Sequence, residues 1–176
     1  ETIGEYGFYN TSITEISFAA NSKCSLIDNH AFEFCTKLKE ALIFPDSMVK
    51  LGRAAFRECI LLPQAKFNTN LQVIYIQCFE NCYSFAGTLT LPSGLQILEM
   101  FAFKNCYQLT AVQFGTNKNL VKYKPSFDGC PNIAVFTIHG NPIYATDSQG
   151  CFYRLNNGYF TMMNAPCAIK SFTLLS

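Results

Sequence analysis

Six phenylalanines recur along this chain at a nearly fixed interval. They are Phe8, Phe32, Phe56, Phe79, Phe103 and Phe127, in steps of 23 or 24 residues. Five of them head an F-x-x-C unit that ends at Cys35, Cys59, Cys82, Cys106 or Cys130; the first has Thr11 in the cysteine slot. A period in the twenties marks a solenoid, in which each repeat buries its apolar side only by stacking on its neighbours. Such a framework turns expectation from catalysis toward binding.

Composition agrees with a packed array. Hydrophobic residues make up 49% of the 176 residues and charged residues 14%, enough apolar surface to offset chain entropy. Seventeen Phe and no Trp fit one position copied from repeat to repeat. The net charge is +1 with no Lys/Arg run, which gives no support for nucleic-acid binding. No apolar stretch approaches the ~20 residues of a membrane span, so no membrane insertion is expected within this segment. The sequence begins without Met and inside a repeat, and ends inside another, as a piece of a longer protein would.

Nine cysteines invite a disulfide reading. For five of them the register argues for a buried row instead, since residues one repeat apart point the same way from stacked coils. Cysteine packs well there as a small hydrophobe. Cys24 and Cys78 fall in other core slots. Only Cys151 and Cys167, outside the array, remain disulfide candidates. Each row cysteine, and Thr11, is expected to donate to buried turn backbone of its own or the next coil.

The copies Pro45–Cys59 and Pro92–Cys106 align without a gap. After each cysteine slot comes a short apolar-x-apolar segment: 16–18, 42–44, 65–67, 89–91, 112–114 and 136–138. Each reads as a short strand with two side chains inward, stacked in parallel on the next coil. The Phe rings should form one aromatic column.

The segments "LTLPSGLQILEMFAFKNC" (89–106) and "LIFPDSMVKLGRAAFREC" (42–59) resemble the BspA-like leucine-rich repeat, also known as the Treponema pallidum type. The variant "FAANSKCSLIDNHAFEFC" (18–35) is similar to members from parabasalid protists such as Trichomonas. The resemblance implies a right-handed repeat solenoid with a parallel β-sheet on the concave face and short turns or 3-10 segments elsewhere. It implies six repeats over 1–140, a β-hairpin insert or cap over 141–166, and the start of a further repeat over 167–176. Asn157-Gly158 supplies the hairpin's turn signal. The resemblance also implies a non-enzymatic protein without a cofactor, which binds proteins at a cell surface or outside the cell: host or matrix proteins, or other cells. The alternative is an intracellular structural element docked in a larger cytoskeletal or axonemal assembly.

No catalytic residue is assigned. His30 with Cys35 could form a nucleophile pair, but Cys35 is a core residue with four copies that lack a matching His. His139 falls at a strand rim. Cys78-x3-Cys82 has zinc-like spacing, yet the repeat register accounts for both, so no metal site is assigned either. On the concave face the outward row reads Ser17, Ile43, Lys66, Thr90, Gln113 and Thr137, a candidate protein-binding surface. Tyr144, Phe152, Tyr153, Tyr159 and Phe160 of the hairpin are candidate contacts, unless those rings cap the open end of the array.

Overall fold

The computed structural model describes residues 1–156 and 159–165. The Asn157-Gly158 turn, Cys167 and the expected further repeat lie outside the described residues. The described chain has no helix. Its strands are β1 (Thr2–Ile3), β2 (Leu26–Ile27), β3 (Leu42–Ile43), β4 (Lys50–Leu51), β5 (Ala65–Lys66), β6 (Val73–Ile74) and β7 (Ala86–Thr90). They continue with β8 (Ile97–Leu98), β9 (Gln108–Gln113), β10 (Lys122–Tyr123), β11 (Val135–Thr137), β12 (Tyr144–Thr146), β13 (Phe152–Asn156) and β14 (Tyr159–Asn164). Together β1–β11 form a parallel β-solenoid of about six coils.

The coil has two strand faces rather than one. The expected face is present in two pieces, the parallel pair β3-β5 and the parallel sheet β7-β9-β11. Residues 16–18 do not form a strand there. The longer ladder runs elsewhere: a six-stranded parallel sheet in the order β1-β2-β4-β6-β8-β10. Its strands fall between the Pro slot and the Phe of each repeat, in the register Thr2, Leu26, Lys50, Val73, Ile97, Lys122. Four of its strands bury one residue each and β6 buries both Val73 and Ile74; Ile27, Leu51, Ile74 and Leu98 are fully buried.

The aromatic column forms as expected. Successive rings from Phe8 to Phe127 stack nearly parallel with centroids 5.0–5.5 Å apart. The cysteine row also forms, with one correction to its bonding. Cys35, Cys59, Cys82, Cys106 and Cys130 each donate to the carbonyl of the Phe one coil before, over 3.0–3.4 Å. The expected acceptors lay in the same or the next coil. The direction reverses because the turn amides already point forward: Phe32, Phe56 and Phe79 donate to Ala55, Cys78 and Ala102 of the following coil. The Phe carbonyls are left facing the cysteine that comes after. Thr11 keeps to its own turn and donates to Phe8 O at 3.0 Å.

The turn is tight because the backbone alternates in hand. Residues two before and two after the Phe have positive φ in repeat after repeat, including His30 and Phe34, Ala54 and Glu58, and Gln77 and Asn81. Outside glycine this costs roughly 1–2 kcal/mol per residue, offset by the bonds that each turn makes to its neighbours. In three slots that lack proline a buried asparagine replaces it: Asn68, Asn117 and Asn141. Asn117 donates to Pro92 O and Leu95 O, both at 3.1 Å, and accepts from the amides of Asn119 and Leu120. Asn141 repeats the arrangement one coil on.

Cys24, Cys35, Cys59, Cys78, Cys82, Cys106 and Cys151 are buried free thiols. Titration with a thiol reagent should find few reactive groups in the native protein and at least five more in denaturant. Equal counts in both states would refute the buried row.

Candidate functional site

The outward row of the strand face lies where the register places it. Ser17, Ile43, Lys66, Thr90 and Gln113 are exposed, and Thr137 is half-buried. Ile43 stands opposite Lys66, Thr90 opposite Gln113, and Gln113 opposite Thr137 across the ladders. Ile43 is 65% exposed, high for an isoleucine on a regular sheet and the one large apolar side chain in the row. Lys66 is the row's only charge. Between β5 and β7 the face opens into a groove of ≈ 410 Å³ lined by Gln64, Ala65, Lys66, Phe67, Thr88 and Thr90.

The five hairpin rings divide into two groups. Tyr144, Phe152 and Tyr153 are buried and close the end of the array. Phe152 stacks on Phe114 at 5.0 Å and on Tyr144 at 5.5 Å, and the Tyr144 hydroxyl accepts from the Tyr123 amide at 2.9 Å. The Tyr153 hydroxyl donates to Asp147 at 2.9 Å; desolvation would raise the Asp147 carboxyl, but hydrogen bonds from the Cys151 amide, the Tyr153 hydroxyl and the Gln149 amide outweigh it and hold the group below its ordinary range. These three rings are an end cap and present no contact surface. Tyr159 and Phe160, at 77% and 50% exposed, lie on the outer strand β14 and remain available. Strand alternation alone could not separate them, because a three-stranded sheet over an open end buries both faces of its first strands.

The groups considered for chemistry sit in structural roles. His30 Nδ1 meets Glu33 Oε2 at 2.6 Å, while Cys35 donates to Phe8 O, so the two do not act as a pair. Glu33 also bridges to Arg57, and Glu80 pairs with Lys104 at 3.3 Å. These belong to one column, Glu33, Arg57, Glu80, Lys104 and Asp128, which alternates in charge from coil to coil. The Phe and Cys pattern does not single out this column, but its sign alternation at the Phe period is a legible signal. Among the described residues no group of three or more His, Cys, Asp or Glu is placed to hold a metal. Among them, too, no helix is long and apolar enough to cross a membrane.

A parallel solenoid with a Phe stack, a thiol row and an outward strand face defines a repeat-built scaffold. The pattern described as "BspA type Leucine rich repeat region (6 copies)" matches residues 1–134 and again 86–173, so the chain belongs to the BspA-type leucine-rich repeat family. Repeats of this family generally mediate protein binding. Among solved structures the chain is similar to the T. pallidum leucine-rich repeat protein TpLRR, at 26% identity and a TM-score of 0.58, over 75% of this chain and 71% of that one. It is also similar in fold to a leucine-rich cell surface protein from Faecalibacterium prausnitzii, at 21% identity and a TM-score of 0.62, over 94% of this chain and 49% of that one. A third likeness is the pneumococcal vaccine antigen PcpA, at 20% identity and a TM-score of 0.58, over 87% and 32%. This chain thus spans half or less of the latter two. No curated protein matches it.

Proposed function

We propose that the chain is a non-enzymatic protein-binding module of a cell-surface or extracellular protein, and that it recognises host or matrix proteins or other cells. The observation that carries this reading is the exposed outward row, repeated in register over successive coils with Ile43 at its most exposed point. Six coils offer enough area for a standard interface of ~800 Å² per partner. Tyr159 and Phe160 extend that surface at the capped end. A surface location is supported by the description of the F. prausnitzii neighbour as a cell surface protein. Protease shaving of intact cells, with detection of the full-length parent protein, tests it. Loss of the parent on shaving is expected. Survival until lysis would refute the surface location.

A second reading, an intracellular scaffold element docked in a larger assembly, is favoured by one observation. Among the described residues Cys24, Cys35, Cys59, Cys78, Cys82, Cys106 and Cys151 are buried thiols, a pattern more usual in a reducing compartment. Survival of the parent in the shaving experiment is the result this reading expects.

A further inference from the structure

Asn10-Thr11-Ser12 is the only N-x-S/T sequence in the chain, the pattern that accepts an N-linked glycan. Asparagine also has a backbone reason to stand at this turn position, two residues after the Phe. There φ is positive, 54° at Asn10, 62° at Asn81 and 59° at Asn105, and asparagine adopts that conformation more readily than most residues. The three carboxamides differ in what they do. Asn81 donates to Glu58, and Asn105 donates to Asn81 at 2.8 Å, so both are tied into a ladder across coils. The next residue in the column after Asn10 is Phe34, whose side chain offers no hydrogen bond. The Asn10 main chain is pinned, its amide donating to Glu33 O at 2.8 Å. Its side chain is exposed and bonds to no other described residue. Thr11 turns its hydroxyl inward to Phe8 O, which leaves Asn10 and Ser12 on the outside of the turn.

The first coil also leaves three rings in water beside this turn, Tyr6, Phe8 and Tyr9. They are held in place: Tyr6 meets Tyr9 edge to face at 5.5 Å and lies flat on His30 at 4.9 Å, and Phe8 stacks on Phe32 at 5.0 Å. The C–H face of an N-acetylglucosamine packs on such rings and withdraws their apolar surface from water.

We propose that Asn10 is an N-glycosylation site, and that the first N-acetylglucosamine packs on the exposed rings of Tyr6, Phe8 and Tyr9. The donor is an oligosaccharide carried on a polyprenyl diphosphate. The bond from sugar C1 to the diphosphate oxygen breaks, and the diphosphate leaves with the electron pair. C1 bonds to Asn10 Nδ2, which gives up one proton, and nothing is oxidised or reduced. Transfer precedes folding of the tight turn, and the exposed position then lets the coil close without burying the sugar. The site rests on the surface reading, because only an exported chain meets the transferase.

The test directs the full chain through the secretory pathway of a cultured eukaryotic cell. Peptide-N-glycosidase F should convert the secreted chain to a faster band in one step, with Asn10 converted to an aspartate by mass spectrometry. Asn10→Gln and Ser12→Ala should each abolish the step, and Ser12→Thr should keep it. Both residues are exposed, so these chains are expected to fold as the parent does. No step in either the parent or the Ser12→Thr chain would overturn the proposal. So would a step that persists in Asn10→Gln, since the glycan would then sit elsewhere. In NMR spectra of the glycosylated chain, nuclear Overhauser contacts should join sugar protons to at least one of the three rings; contacts to none would overturn the packing. The recombinant result does not depend on where the parent protein resides, so an intracellular parent would fail the shaving experiment and leave this one unchanged.

Discussion

Phe79→Ala is expected to lower the unfolding free energy by about 4–5 kcal/mol, near the top of the range for a buried aromatic. The ring is fully buried. It stacks on Phe56 at 5.2 Å and on Phe103 at 5.1 Å, and its edges meet Phe67 at 6.0 Å and Phe85 at 5.7 Å. Four ring contacts disappear at once, and aromatic pairs contribute roughly 0.5–1.5 kcal/mol beyond their buried area. The site lies mid-array, so the cavity also weakens the coupling between the first three coils and the last three. In a solenoid that coupling carries much of the cooperativity. Phe8→Ala should cost less than half as much, because Phe8 is 40% exposed and stacks only on Phe32. Urea unfolding of both variants beside the parent chain measures the difference. Similar losses at the two positions would mean that the ring column is not the continuous core described.

Much of this fold is legible from the Phe interval, because a stacked coil must place like residues at like positions. The Phe column, the Cys row and the exposed outward row all follow from register. What was not legible has local causes. Strands such as Lys50–Leu51 and Ile97–Leu98 are two residues long. That length is too short for a two-residue alternation to show against the apolar Pro-to-Phe segment. The left-handed turn positions are held by His30, Phe34, Ala54 and Glu58, none of them the glycine that usually signals positive φ. The bonds across coils impose that conformation, and only the assembled stack contains them.

The candidate site divides in the same way. Exposure of Lys66, Thr90 and Gln113 depends on strand alternation and was accessible. The burial of Tyr144, Phe152 and Tyr153 depends on what the hairpin packs against, the open end formed by Phe114 and Tyr123.

Alkaline pH should unfold this chain well before it would unfold a thiol-free protein of similar size. Burial is the main reason that the Cys59, Cys78, Cys82 and Cys106 thiols are pushed up from the ordinary value of 9.0. Neighbouring cysteines add to the effect along the row: Cys35 on Cys59, Cys106 and Cys59 on Cys82, and Cys130 on Cys106. The folded chain therefore keeps protons that the unfolded chain sheds once the pH exceeds about 9. Stability from this source is fully present below that pH and is lost as pH rises toward the folded values. Each such thiol contributes a slope of about 1.4 kcal/mol per pH unit in that window. Four together amount to several kcal/mol per unit, against a typical total of roughly 5–15 kcal/mol. Urea midpoints taken from about pH 8 to about pH 10.5 should fall steeply above pH 9, and Cys82→Ala should make the slope shallower. A flat profile across that range would mean that the thiols are not sealed in the core, and the bonds from cysteine to the preceding Phe carbonyl could not then be protected ones.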